Sequence, residues 1–160
     1  MRRGYCKFIL AVLPTAVLIV GCPGPGEPVT LDATGVAPAA DYTELAKVLG
    51  ESVSASNGRV DAEAFGNGKL GETLDAQLRR LAVTGPGATP ELFASPEARL
   101  AYWYNARAAW AIRLADLEGW PEKIAPVRLT ERRFPLDGRM MTLAEIDAIL
   151  AADEDWRTVV

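Results

Sequence analysis

Acid–base chemistry in this chain would have to fall to carboxylates. The 160-residue sequence contains no histidine. A serine or cysteine nucleophile therefore has no imidazole to activate it here, and no His-ligated metal site can form. Both cysteines, Cys6 and Cys22, lie near the N-terminus, so no disulfide can staple the rest of the chain. No catalytic residue is assigned, and no cofactor or metal is expected. The groups that could give and take a proton are Glu97, Glu118, Glu145 and Asp147. Each also has a plainer role: Glu97 and Glu118 flank the ends of one helix, Glu145 stands at a capping position, and Asp147 suits a solvated face. Two other polar residues, Asn105 and Arg107, fall inside an apolar stretch and, with Trp103 and Tyr104, make up a candidate pocket. Arg107 admits two readings. Its stem can pack while its head reaches water, or its guanidinium is buried against a carboxylate or lines a pocket. Asn105 suits a structural hydrogen bond or the wall of a cleft.

The remaining reactive group is the thiol of Cys22. Met1-Arg2-Arg3 and Lys7 form a basic start, and Phe8 to Val20 is an apolar run containing Pro14, short for a membrane span. The run ends in Ile19-Val20-Gly21-Cys22, which resembles the lipobox of bacterial lipoproteins. Small Gly21 fits a peptidase site, and the thiol would accept diacylglycerol before cleavage. Residues 1–21 are then a signal peptide and Cys22 is the lipidation site. Two or three acyl chains anchor stably where one does not. The expected place is the cell envelope, with the membrane contacted through lipid on Cys22. No Asp follows Cys22, which points to the outer membrane if the cell has two.

Pro and Gly dominate the next stretch, and residues 22–40 read as the lipidated cysteine and a disordered tether. Extended, it would reach up to about 50 Å. The whole chain carries a net charge of −4, and Arg2, Arg3 and Lys7 supply three of its 17 basic residues. The part after the signal is therefore more acidic still, with its arginines scattered, which sets nucleic acid aside as a partner.

The folded part is expected to span 41–160 and to be organised around one helix. Ser95 suits an N-cap, Pro96 a first helical turn and Glu97 the positive end of the helix dipole. Gly119 and Pro121 stop the helix, which gives about 96–118. Leu100, Trp103, Trp110, Leu114 and Leu117 make one apolar stripe, and Tyr104, Ala108, Ala111 and Ala115 a second beside it. Apolar residues cover more than half of this helix, so neighbours must bury it on several sides. An earlier helix starts at Asp41 with Glu44 in the capping-box position, burying Tyr42, Leu45, Val48 and Leu49. Gly50 to Gly58 is a loop, and Arg59-Val60-Asp61 a short strand or extended entry. A second helix covers about 68–83 with Leu70, Leu74, Leu78 and Leu81 in line, and Thr89 to Phe93 makes one helical turn. Residues 127–129 and 133–136 read as extended. Asp137-Gly138 marks a tight hairpin, about 133–141. Thr142 and Glu145 form another capping box, ahead of an inward-facing set of Leu143, Ile146, Ile149 and Leu150. The tail 153–160 reads as a loop entering a strand. The fold class is α+β and mostly helical: a central buried helix packed by two earlier helices, a β-hairpin and a later helix.

Several of these pieces, taken together, resemble the domain of unknown function 547. Leu100 to Ile112, with Trp103, Asn105 and Ala106 among its residues, resembles that family's "F-W-x-N-x-Y-N-A" helix. Gly58-Arg59-Val60-Asp61 resembles its "G-x-V-D", and Trp120-Pro121-Glu122-Lys123-Ile124 its "Y-P-x-x-I". Phe134 through Leu150 resembles "F-x-v-x-G-x-x-l-S-L-d-d-I-E". The chain departs where Arg107 and Ala108 replace Tyr-Asn, where Asp147 replaces the last Glu, and where Ala148 stands in place of a frequent His. The resemblance implies that 41–160 is the N-terminal part of a longer domain, whose next strand carries a cysteine. The family has no established activity. Two functions follow: a lipid-anchored binding or structural module, or an envelope hydrolase or transferase. In the second, the Cys-containing half lies beyond Val160, and Asn105 and Arg107 support it.

Overall fold

The computed structural model of the chain describes residues 27–66 and 68–152. The signal segment, Cys22 and the tail 153–160 lie outside the described residues. The elements are α1 (Thr43–Ser52), a 3₁₀ turn at Ala62–Phe65, α2 (Lys69–Val83), a second 3₁₀ turn at Pro90–Leu92, α3 (Pro96–Leu117), α4 (Pro126–Glu131), β1 (Phe134–Leu136), β2 (Arg139–Met141) and α5 (Leu143–Ala152). This is the mostly helical α+β architecture that the residue pattern implies. No described helix is long and apolar enough to cross a membrane.

The centre is α3, and its local signals act as expected. Ser95 Oγ accepts from the Ala98 N–H at 3.1 Å, Pro96 opens the first turn, and Gly119 takes φ 73° to end the helix. Trp103 and Trp110 are both buried. Trp110 stacks on Phe134 of β1 with ring centroids 4.1 Å apart, and Trp103 meets Tyr102 edge to face at 4.9 Å. The second stripe lies on the other flank from the one expected. Tyr102, Ala106, Ala109 and Ile112 are buried, whereas Tyr104 is exposed and Ala108, Ala111 and Ala115 are only partly covered. Both flanks are rich in alanine, which is equally at home inside and out, so the side was decided by what packs there. Tyr102 contributes the largest ring on that flank.

The start of α3 lies beside the end of α2, where the Tyr102 hydroxyl donates to the Leu81 carbonyl at 3.3 Å. Further along, Arg113 of α3 reaches Asp75 of α2 at 3.3 Å. The two helices therefore run antiparallel. The α2 stripe of Leu70, Leu74, Leu78 and Leu81 is buried as read. The capping box expected at α1 does not form. Asp41 Oδ1 instead accepts from the N–H and hydroxyl of Thr43, at 3.0 and 2.7 Å. Glu44 turns away to Arg80, at 2.7 and 3.1 Å. The open helix end is served by Gln77 of α2, whose Oε1 accepts from Leu45 N–H at 3.3 Å while Nε2 donates to the Asp41 carbonyl at 3.1 Å.

Three further features position the rest. β1 and β2 pair antiparallel around Asp137-Gly138, both at positive φ, 54° and 72°, as a two-residue hairpin of this hand needs. The α5 capping box closes, with Thr142 N–H to Glu145 Oε2 at 2.7 Å and Glu145 N–H to Thr142 Oγ1 at 3.2 Å. Residues 127–129 are not extended but helical, within α4. Pro126 supplies a first helical turn, and the helix puts Arg128 and Arg132, four residues apart, toward one carboxylate, Glu118.

Finally, the folded part begins too late in the expected reading, because residues 27–40 lie along the fold as an extended strap. Val29 N–H donates to the Arg133 carbonyl at 2.8 Å, and Ala39 N–H donates to Thr84 Oγ1 at 3.2 Å. Val29 and Leu31 pack against the core. Pro and Gly composition says that a segment lacks regular structure. It does not say that two apolar side chains within it have no place to rest.

Candidate functional site

The four residues of the candidate pocket do not converge. Successive helical residues turn by about 100°, so Trp103, Tyr104 and Asn105 point to three sides of α3. Trp103 is buried, Tyr104 is 48% exposed and Asn105 half-buried. Only Trp103 and Arg107, one turn apart, share a side. Trp103 instead borders an open cleft of about 580 Å³ with Pro86, Gly87, Ala88, Asp137, Gly138 and Arg139.

Arg107 pairs with Asp147, which joins two residues singled out from the sequence and ties α3 to α5. Its Nε donates to Asp147 Oδ1, and its Nη2 to Oδ2 at 3.4 Å. The hydrogen bond to Asp147 raises the Arg107 pKa above its ordinary value. The side chains are 43% and 42% exposed. Arg107 is thus carboxylate-held yet open to water, a combination of the two readings.

The other candidate carboxylates are likewise engaged. Glu97 sits in the first turn of α3. Its own backbone N–H, then Ser95, hold its carboxyl below the ordinary range. Glu118 faces Arg128 Nε at 3.3 Å and Arg132 Nη2 at 3.9 Å. Glu145 is engaged by its capping bond and by Arg133 at 3.4 Å. A general acid or base must be free to exchange its proton with a substrate, and these oxygens already serve donors of the fold. Among the described residues, no group of three or more His, Cys, Asp or Glu side chains could hold a metal.

The most constrained group is one read only as a turn former. Asp137 is 7% exposed, and its Oδ1 accepts from the N–H groups of Gly87 and Ala88, each at 2.8 Å. The loop it grips is closed on itself by Thr89, whose hydroxyl bridges the N–H and carbonyl of Gly85 at 3.2 Å each. A Cβ on Gly85 would stand 2.3 Å from Asp137 Oδ1 and 2.7 Å from the Tyr102 hydroxyl, so only glycine fits. Burial, and next the Asp137 charge, push the Tyr102 phenol far above the usual tyrosine range, which keeps it a neutral donor. The one sequence signal of this clamp is the pair Gly85 and Gly87 in a single short loop. Its partner lies about 50 residues away, beyond the reach of any local pattern.

No protein-family model, curated protein or solved structure matches the chain.

Proposed function

We propose that the chain is a lipid-anchored protein of the cell envelope. Cys22 is acylated after removal of residues 1–21, and the folded part works by binding or spacing, without catalysis. In a cell with two membranes it sits on the outer one. The observation that carries this is the N-terminal sequence itself, a basic start and a short apolar run ending in Ile19-Val20-Gly21-Cys22. The state of the polar groups supports the non-catalytic half: Asp137, Glu118, Glu145 and Asp147 all bind donors within the fold. Mass spectrometry of the membrane fraction tests the reading. An N-terminal peptide starting at Cys22 and carrying acyl chains is expected, and Cys22→Ala should leave the protein unretained by membranes. An unmodified Cys22, or cleavage elsewhere, refutes it.

A second reading is an envelope hydrolase or transferase with a nucleophilic cysteine beyond Val160, in a domain of the 547 type. One observation favours it: the family-like segments 58–61, 100–112, 120–124 and 134–150 occur in the family's order. Sequencing the DNA past codon 160 decides. An open frame encoding a Cys-containing strand supports the enzyme, and a stop codon there removes it.

A further inference from the structure

The first described residue of the strap, Glu27, is held at a defined place. Arg132, 3% exposed, donates from Nη1 to the Glu27 carbonyl at 2.9 Å. The same guanidinium stands 3.9 Å from Glu118, the residue that follows α3. Glu27 therefore sits beside the C-terminal end of α3. The other end, capped by Ser95, is the length of a 22-residue helix away, about 33 Å. Only four residues separate Cys22 from Glu27, and the five chain steps between them span at most about 18 Å.

We propose that the strap sets the orientation of the domain on a lipid surface. The end of α3 that carries Glu118, together with α4, faces the bilayer. The end that carries Ser95 and the Asp137 clamp points away. This rests on the reading that Cys22 bears lipid. A free tether from residue 23 to 40 would let any face approach the membrane. With the strap docked, the remaining link is shorter than α3, so the Ser95 end cannot be the one turned down to the bilayer. The surface presented suits the interfacial zone of a bilayer: Leu117 and Val127 are 38% and 44% exposed. Exposed Lys123 is offset by exposed Glu122 and Glu131, so the orientation comes from the strap, not from charge.

The test takes the chain from Cys22 onward and couples its single thiol to a maleimide headgroup in phosphatidylcholine vesicles. A bioorthogonal dye replaces either Glu131, beside α4, or Glu91, near the start of α3, and the headgroups carry an acceptor. Coupling imposes the anchor, so orientation is read whether or not cells acylate Cys22. Failure of acylation, seen by the mass spectrometry above, is thus a separate result. Energy transfer should be at least about threefold more efficient from position 131 than from 91, given the helix length between the two ends. Equal transfer, or more from 91, overturns the proposal. Val29→Pro deletes the N–H donated to Arg133 and should bring the two positions together while the helical circular dichroism is kept. A contrast that survives Val29→Pro rules out the strap as its cause.

Discussion

Beside the first half of α3, one buried carboxylate is held by neutral donors, the N–H groups of Gly87 and Ala88 on Asp137. At the other end of the helix, one carboxylate faces two guanidiniums, Arg128 and Arg132 on Glu118. The first arrangement demands backbone geometry: two residues at positive φ and a glycine with no room for a Cβ. The second demands charge, since Arg132 is almost wholly out of water and would be costly there alone. One end is therefore specified by shape and the other by ionic balance, and substitutions should separate the two.

α3 joins the two ends as a single axis, and Trp110 is where that axis can be broken. Trp110→Ala empties the stack against Phe134 and should cost about 3–5 kcal/mol, visible as a large loss of melting temperature. Near-native melting would mean the two ends are held independently. Next in size, Glu118→Gln should cost about 2 kcal/mol, because it removes a negative charge that faces Arg128 and the buried Arg132. Asp137→Ala should cost about 1–3 kcal/mol by leaving two N–H groups unmet. The sharper distinction lies in rescue. Asp137→Asn keeps an acceptor and tolerates positive φ, so it should recover most of the loss. Glu118→Gln is already the isosteric change and has no such recourse. Urea titrations of the four variants check this ordering.

The shape-specified end also has a charged rim, Glu44 with Arg80. The Arg80 hydrogen bond holds the Glu44 carboxyl below its ordinary value of 4.5. The folded state therefore binds this proton more weakly than the unfolded chain. Its contribution is full above the ordinary value and is lost as pH falls through the lowered one. Glu44→Gln should flatten stability against pH below about 4.5 by no more than about 1 kcal/mol, given that the pair is partly solvated. The smallest effect is expected midway along the axis. A double-mutant cycle on Arg107 and Asp147 should give a coupling below about 1 kcal/mol that shrinks with salt.

What could be read from the sequence follows how local each determinant is. The limits of α3, the Asp137-Gly138 turn and the Thr142–Glu145 box are each set within a few residues, and each forms as expected. Gln77 capping α1 acts across about 32 residues, and nothing near Asp41 announces it. The buried flank of α3 was undetermined because alanine carries too little area to choose a side. The candidate pocket joined residues adjacent in sequence, and a helix separates such neighbours. Its one productive member, Arg107, found Asp147, a residue read only as a solvated carboxylate or proton carrier. The Asp137 clamp was invisible because the residue already had a sufficient reason to be there, as half of a turn.

The Arg132 bond to the Glu27 carbonyl spans 105 residues, so that end of the strap cannot dock until Arg132 is in place. Closing a loop of that length costs about 4 kcal/mol in chain entropy before any contact is gained. During synthesis the strap is made first, yet its docking site at Arg132 and Arg133 emerges only when most of the core already exists. A chain that stalls before that point has Thr84 to hold Ala39 but nothing to hold Glu27 and Val29. The docked strap therefore reports, at the front of the molecule, that the chain has been made and placed through Arg133.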